Sequence, residues 1–238
     1  MSERFVRGWK VSPEKLRALV GSKQLAVSDV LKSRANEDSL EEVVMTLGDE
    51  DEEEGTEIVE EALTAILQGK LKSDQAYEYG RVTELLLNHV AKPLGNEDEI
   101  VMQLTYHVPT EELGCWNPML KALKLPKLAK AWARENFAFP WPSGKPRSDW
   151  PAWTLIEGAE LDAIAAELKP LTRKQLDAVP SALMVDDGSD ATDTRDELWE
   201  GLKTLRKWVE KARGDERKDR LALAKQGNAL LLVMDGDQ

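Results

Sequence analysis

Hydrophobic residues recur at the three-to-four-residue spacing of amphipathic helices along most of the chain. The segments that carry this spacing most clearly are residues 56–68, 75–90, 125–134, 159–168 and 194–212. Two other segments have strand character: RFVRGWKV at 4–11, and the apolar run within NALLLVMDGDQ at 228–238. A further strand is predicted at 100–106. The pattern predicts an α+β fold, namely a helix-rich single domain with a small sheet that includes the N-terminal and C-terminal strands.

Local signals predict where some of these helices begin. Ser12 followed by Pro13 is typical of a helix start, because the serine hydroxyl caps a backbone N–H and proline has none to satisfy. Thr194 and Glu197 have the spacing of a capping box, which we expect to open the last long helix.

Two irregular segments are expected inside this single domain of residues 1–238. The first is GDEDEEEG at about 48–55, where six adjacent carboxylates repel one another and predict a solvated acidic loop insertion. The second is a Pro/Trp-rich connector at 138–153, whose four prolines disfavour both helix and central strand. We expect its tryptophans mainly to fix the connector against the core.

The charge of the chain is strongly uneven. The net charge is -12, and residues 37–61 hold thirteen carboxylates and no Lys or Arg, so the rest of the chain is nearly neutral. The single cysteine, Cys115, excludes an internal disulfide and fits a reducing compartment. The opening MSERFVRGWK lacks an apolar core for a secretory signal, and no apolar run has the length of a membrane span. We therefore expect a cytoplasmic protein with no membrane association.

Four motifs resemble a known group of proteins. They are VSPEKLRALVGSKQ after the first strand, EEALTAILQGKLKSDQAYEYGRVTELLLNHV, FPWPSGKPRSDWPAWTLIEGAELDAIAAEL, and a long L..L..W...A helix followed by a hydrophobic strand. Together they resemble a family of uncharacterised bacterial proteins, known only as a domain of unknown function. The resemblance implies a single α+β domain and a bacterial origin, and it brings no activity and no site residues.

Catalytic, cofactor and metal signatures do not emerge from the sequence. Cys115 lies eight residues after His107, but no thiol-hydrolase signature surrounds it, and a lone cysteine is usually a small buried side chain. His89 lies at core spacing on its helix, so we interpret it as a buried imidazole. The sequence contains no phosphate-binding glycine loop, and the aspartates at 186–193 do not fit an EF-hand. We predict no catalytic residues, no metal ligands and no cofactor, and whether the protein is an enzyme stays open.

The favoured function is a non-enzymatic protein-binding module of the immunity-protein or antitoxin type, with another protein as partner. This rests on an analogy of charge, since such proteins cover basic surfaces. The predicted partner or ligand surface comprises Asp49, Glu50, Asp51, Glu52, Glu53, Glu54, Trp141, Trp150, Trp153, Tyr77 and Tyr79.

Two alternatives remain. The first is a small-molecule-binding protein or an unrecognised enzyme, whose pocket would be lined by the same tryptophans and tyrosines. The second is single-stranded nucleic-acid binding through a basic helix that carries Lys121, Lys124, Lys127, Lys130 and Arg134. A sequence pI near 4.8 argues against the second alternative. The sequence does not indicate the oligomeric state.

Overall fold

The computed structural model describes residues 4–22, 25–72, 74–95, 116–132, 152–183, 191–214 and 229–236. Its strands are β1 (Arg4–Val11), β2 (Ala91–Pro93), β3 (Ala152–Glu157) and β4 (Ala229–Gly236). Its helices are α1 (Pro13–Arg17), α2 (Val27–Leu31), α3 (Glu37–Leu47), α4 (Glu52–Gln68), α5 (Ala76–Val90), α6 (Trp116–Ala122), α7 (Pro126–Trp132), α8 (Gly158–Leu168), α9 (Arg173–Asp177) and α10 (Ala191–Arg213). Short 3-10 turns occupy Arg34–Asn36 and Ser181–Leu183. The predicted helix-rich α+β class is confirmed.

The four strands form one antiparallel sheet in the order β2-β1-β4-β3. Both predicted terminal strands are confirmed, and they are neighbours in the sheet. Contact density divides the chain into two compact units, so the single-domain organisation stays a prediction. The sheet unit comprises Met1–Lys10, Pro93–Glu135 and Trp153–Gln238, and the helical unit comprises Val11–Lys92 and Asn136–Ala152.

The helical unit begins as its sequence signals predict. Ser12 is the N-cap of α1, its hydroxyl accepts the Lys15 backbone N–H, and Pro13 takes the first helical position. Helix α5 packs against α3 and α4, and its buried face includes Val82, which is fully inaccessible. Burial of such aliphatic side chains is the main source of stability for a bundle of this kind.

A buried asparagine joins two parts of the helical unit. Asn36 is fully buried, and its amide donates to the Val30 carbonyl at 2.8 Å and to the Leu85 carbonyl at 3.1 Å. Its oxygen accepts from Asn88 Nδ2 at 2.5 Å. Because every polar atom of this side chain has a partner, its burial fixes the 3-10 turn against α5 at little electrostatic cost.

In the sheet unit, the long helix α10 lies across β1 with close backbone contact. A Cβ added at Gly8 would lie 2.5 Å from the Trp208 ring, so the indole packs directly on the backbone of β1. Trp208 is only 2 % exposed. The missing side chain at Gly8 therefore makes room for a buried tryptophan ring.

Arginines of α10 satisfy carbonyls that follow two shorter helices. Arg206 donates to the Leu171 carbonyl at 2.7 Å, and Arg195 donates to the Val179 carbonyl at 3.0 Å. These carbonyls follow α8 and α9, where helical backbone partners run out. In α9 itself, the side chain of Arg173 forms hydrogen bonds with Asp177 and with Asp196. These bonds, the one to Asp177 most of all, raise the pKa of Arg173 above its ordinary value.

The structure corrects several local predictions. Helix α4 begins at Glu52 rather than Thr56, so half of the expected acidic loop is helical. Helix α10 begins at Ala191, which places Thr194 inside the helix and excludes its role as cap. His89 is exposed instead of buried, because the buried residues of α5 end at Leu87.

Some elements were missed and others lie outside the described residues. Helix α3 and strands β2 and β3 have no sequence prediction, and β3 occupies the end of the expected connector. The expected strand at 100–106, the connector up to Pro151, and both Cys115 and His107 lie outside the described ranges.

Candidate functional site

The helix pair α3–α4 and the turn between its helices carry the excess negative charge of the chain. The two helices pack against each other and bury apolar residues such as Val44 and Leu63. All thirteen carboxylates of residues 37–61 are exposed: Glu37, Asp38, Glu41, Glu42, Asp49, Glu50, Asp51, Glu52, Glu53, Glu54, Glu57, Glu60 and Glu61. Within the described part of the chain, only Glu42 forms an ion pair with a base, at 3.9 Å from Arg81 Nη2. The pair thus presents an acidic face whose charge is not neutralised locally.

Two glycines hold the acidic helices in backbone contact. A Cβ added at Gly55 would lie 2.0 Å from the Val44 carbonyl oxygen, and one added at Gly48 would lie 2.0 Å from the Asp51 carbonyl oxygen. Real Cβ atoms essentially never approach so closely. The glycines that flank the acidic block are therefore required by helix packing, although their sequence context suggested a loop.

The first turn of α4 is stabilised by its own acidic residues. Asp51 is the N-cap, and its Oδ1 accepts the backbone N–H groups of Glu53 and Glu54 at 3.0 Å each. Negative charge in a first helical turn is favoured by the helix dipole. Asp49 and Glu50, at φ 50° and 72°, make the turn before the cap in the left-handed region. The Asp51 cap and the helix dipole thus stabilise a helix start in a segment whose adjacent carboxylates repel one another.

An open concavity of about 770 Å³ lies along this helix start. It is lined by Glu50, Asp51, Glu52, Glu53, Thr56, Glu57 and Glu60. The Thr56 hydroxyl donates to the Glu52 carbonyl at 2.7 Å, so it is committed to its own helix. No group of three or more His, Cys, Asp or Glu among the described residues has the arrangement of a metal site. The chemistry that this lining supports is electrostatic attraction of cationic groups.

The described aromatic residues of the predicted surface are packed inward. Tyr79 is fully buried, its hydroxyl donates to Gln75 Oε1 at 2.8 Å, and it accepts the Lys72 backbone N–H at 3.1 Å. Trp153 is 5 % exposed on β3, and Tyr77 is half-buried. Tyr79 and Trp153 therefore offer almost no surface to a ligand, which corrects their assignment to a binding surface. Trp141 and Trp150 lie outside the described residues.

A row of lysines occupies the exposed side of α6 and α7. We call Lys121, Lys124, Lys127 and Lys130 the lysine row, and all four are exposed while Leu120, Leu125 and Leu128 are buried. Helix α6 ends in a Schellman motif, with Leu125 N–H bonded to the Leu120 carbonyl at 2.9 Å and Lys124 at φ 60°. Pro126 begins α7, so the lysines lie on two helices and the turn between them rather than on one basic helix, and Arg134 lies outside the described ranges.

Two contributors to these surfaces were not predicted. Met45 on α3 is 39 % exposed and is the one large hydrophobic side chain exposed among the described residues. Glu167 on α8 accepts the Lys127 and Leu128 backbone N–H groups at 2.9 and 3.1 Å, and so caps α7. A helical assignment of residues 37–47 would have placed Met45 beside Glu41 and Glu42, whereas no local signal links Glu167 to α7.

A comparison with known protein families identifies the family of this chain. A family model described as a domain of unknown function, DUF7691, matches residues 3–223. The chain belongs to the DUF7691 family. The resemblance to a family of unknown function is thereby confirmed, while the bacterial origin of this DUF7691 protein stays a prediction. No curated protein and no solved structure matches it. None of its described helices has the length and hydrophobicity to cross a membrane.

Proposed function

We propose that this DUF7691 protein is a non-enzymatic, cytoplasmic protein-binding module of the immunity-protein or antitoxin type. Its acidic face on α3–α4 would dock a basic surface of another protein. The observation that carries the proposal is the exposure of thirteen carboxylates with a single described ion pair, Glu42 with Arg81. A field of one sign steers an oppositely charged partner and accelerates its association.

The acidic face also contains an apolar contact point. Met45 is exposed on the same side of α3 as Glu41 and Glu42, and methionine adapts readily to an irregular partner surface. An apolar centre with a charged rim is the common arrangement of a protein interface. Met45 would supply apolar contact area, and the surrounding carboxylates would orient the partner and increase its rate of association.

The test is substitution rather than deletion of the acidic block. Deletion of residues 49–54 would remove the Asp51 cap and displace Gly55, so it would damage the fold together with the charge. We therefore choose E53Q/E57Q/E60Q, which removes three exposed charges from one face of α4. The matched control, E14Q/D29N/D74N, removes three exposed charges from other parts of the helical unit.

The measurement is co-purification with the tagged full chain, followed by identification of the partner and titration of the purified complex. We expect the E53Q/E57Q/E60Q variant to bind at least tenfold more weakly than the wild type at about 0.1 M salt. Wild-type binding should weaken strongly at about 1 M salt, where the Debye length is only about 3 Å. The control should bind like the wild type. Equal binding by both variants, with no dependence on salt, would contradict the proposal.

A further inference from the structure

The lysine row is a charged surface that the proposed function does not use. None of its four ammonium groups forms an ion pair with another described residue, although all four are exposed. One described carboxylate contacts this part of the chain: the two oxygens of Glu167 accept the backbone N–H groups at the start of α7. With Glu167 included, the surface still carries an excess of about three positive charges. The backbone that carries it is held in place, because Leu120, Leu125 and Leu128 on the opposite side are buried.

We propose that the lysine row binds the acidic face of α3–α4 on a second copy of this chain. The argument is charge complementarity, since one face holds four bases and the capping carboxylate of Glu167, while the other holds thirteen acids and one described ion pair, with Arg81. The inference shares the acidic face with the proposed function but concerns a different partner. Self-association would then compete with the basic partner for that face.

The spacing of the charges supports this pairing. Glu53, Glu57 and Glu60 follow one another at four and three residues on the exposed side of α4, and therefore lie at intervals of about 5–6 Å. In the lysine row, Lys127 and Lys130 are three residues apart on α7, which gives the same interval. A helix-to-helix contact can therefore place carboxylates opposite ammonium groups at more than one point.

Such a contact has a distinctive dependence on salt. The net charge of -12 makes two copies repel each other at a distance, whereas the two faces attract on contact. At about 0.01 M salt the Debye length is about 30 Å, so the repulsion between the two copies is only weakly screened, while at about 0.1 M the Debye length falls to about 10 Å and the long-range repulsion is reduced. At about 1 M even the contact is screened. We therefore expect self-association to be greatest near 0.1 M and to decrease on both sides.

The experiment is sedimentation velocity of the full chain over a concentration series at these three salt concentrations. Two reversal variants are compared with the wild type: K121E/K127E/K130E in the lysine row and E53K/E57K/E60K in the acidic face. Each variant alone should remain monomeric at 0.1 M salt. An equimolar mixture of the two should form a complex, because the intact acidic face of the first meets the intact lysine row of the second.

Controls separate this contact from an effect of net charge or folding. The variant K169E/K174E/K207E makes the same change in net charge at exposed lysines elsewhere in the sheet unit, and it should self-associate like the wild type. Circular dichroism and the thermal midpoint check that each variant is folded. Lys124 is left unchanged because its left-handed backbone also shapes the turn.

Three outcomes overturn the inference. The first is a wild-type monomer at every concentration and salt, and the second is equal loss of association in the control lysine variant. The third is a lysine row occupied by nucleic acid, seen as co-purifying absorbance at 260 nm that K121E/K127E/K130E removes. Failure of the proposed function is distinguishable, because that variant retains the acidic face and should still bind the basic partner.

Discussion

The acidic pair α3–α4 and the lysine pair α6–α7 solve the same packing problem in different ways. Each pair buries one apolar side, exposes charge of one sign and reverses through a short turn with left-handed residues. The acidic pair is held by backbone contact at Gly48 and Gly55, where no side chain fits. The lysine pair has no glycine in its turn and is held by backbone hydrogen bonds and by Glu167. A helix pair with one buried apolar side can therefore be closed either by glycine contacts or by hydrogen bonds.

The largest expected effect follows from the glycine contact of the acidic pair. Gly55→Ala should lower the free energy of unfolding by about 3 kcal/mol, because the new methyl group would have to displace the Val44 carbonyl. Helix propensity alone predicts the opposite sign, a gain of about 1 kcal/mol. Urea unfolding measures the difference, with the exposed Thr56→Ala as a control expected to change stability by less than about 0.5 kcal/mol. A Gly55→Ala variant as stable as the wild type would refute the close contact.

The second comparison concerns the carboxylates that cap α4 and α7. Asp51 caps α4 from its own N-cap position, whereas Glu167 reaches α7 from α8. We expect Glu167→Ala to cost about 2 kcal/mol and Asp51→Ala about 1 kcal/mol, because Glu167 also joins two helices. Thermal unfolding of both variants measures the order. Asp51→Asn should remain close to the wild type, since asparagine is an equally good cap. Equal losses for Glu167→Ala and Asp51→Ala would show that the link between helices adds nothing.

The smallest expected effect is a gain of stability in the lysine pair. Lys124 occupies the left-handed position that glycine usually takes at the end of a helix. Lys124→Gly should raise the free energy of unfolding by up to about 1 kcal/mol, because it removes the steric cost of that backbone conformation. This corresponds to a rise of about 2–4 °C in the thermal midpoint. Lys127→Gly, inside α7, is the control and should lower the midpoint. A lower midpoint for Lys124→Gly would mean that the lysine side chain contributes more than its backbone costs.

The fold was predictable wherever one segment carries its own signal. Ser12 and Pro13 define the start of α1, and the continuous apolar run at 229–233 predicts a buried strand that the structure contains. Signals that depend on distant residues failed. Gly55 suggested a loop, because its close contact with Val44 on another helix is not visible in the local sequence. Strand β3 was missed because its neighbour β4 follows more than 70 residues later.

The candidate site was predictable in charge but not in form. The acidic block at 49–54 is visible in the sequence, yet its partly helical state depends on the Asp51 cap and on packing with α3. Aromatic residues were harder to interpret, because composition does not distinguish an exposed tyrosine from one such as Tyr79, whose hydroxyl is satisfied inside the protein. Exposure decides between these alternatives, and it depends on residues far apart in the chain.

The strand order also has a consequence for synthesis on the ribosome. Strand β4 lies between β1 and β3, but it is translated roughly 220 residues after the end of β1, which at ~5–20 residues per second is a delay of roughly 10–45 s. Most of the helical unit is one continuous stretch, Val11–Lys92, and can condense early in that interval. The sheet cannot be completed until Ala229–Gly236 has left the exit tunnel. A nascent chain that stops before this point would carry β1 and β3 without the strand that joins them. Such a chain would expose unpaired strand edges to the chaperones and proteases of the cell.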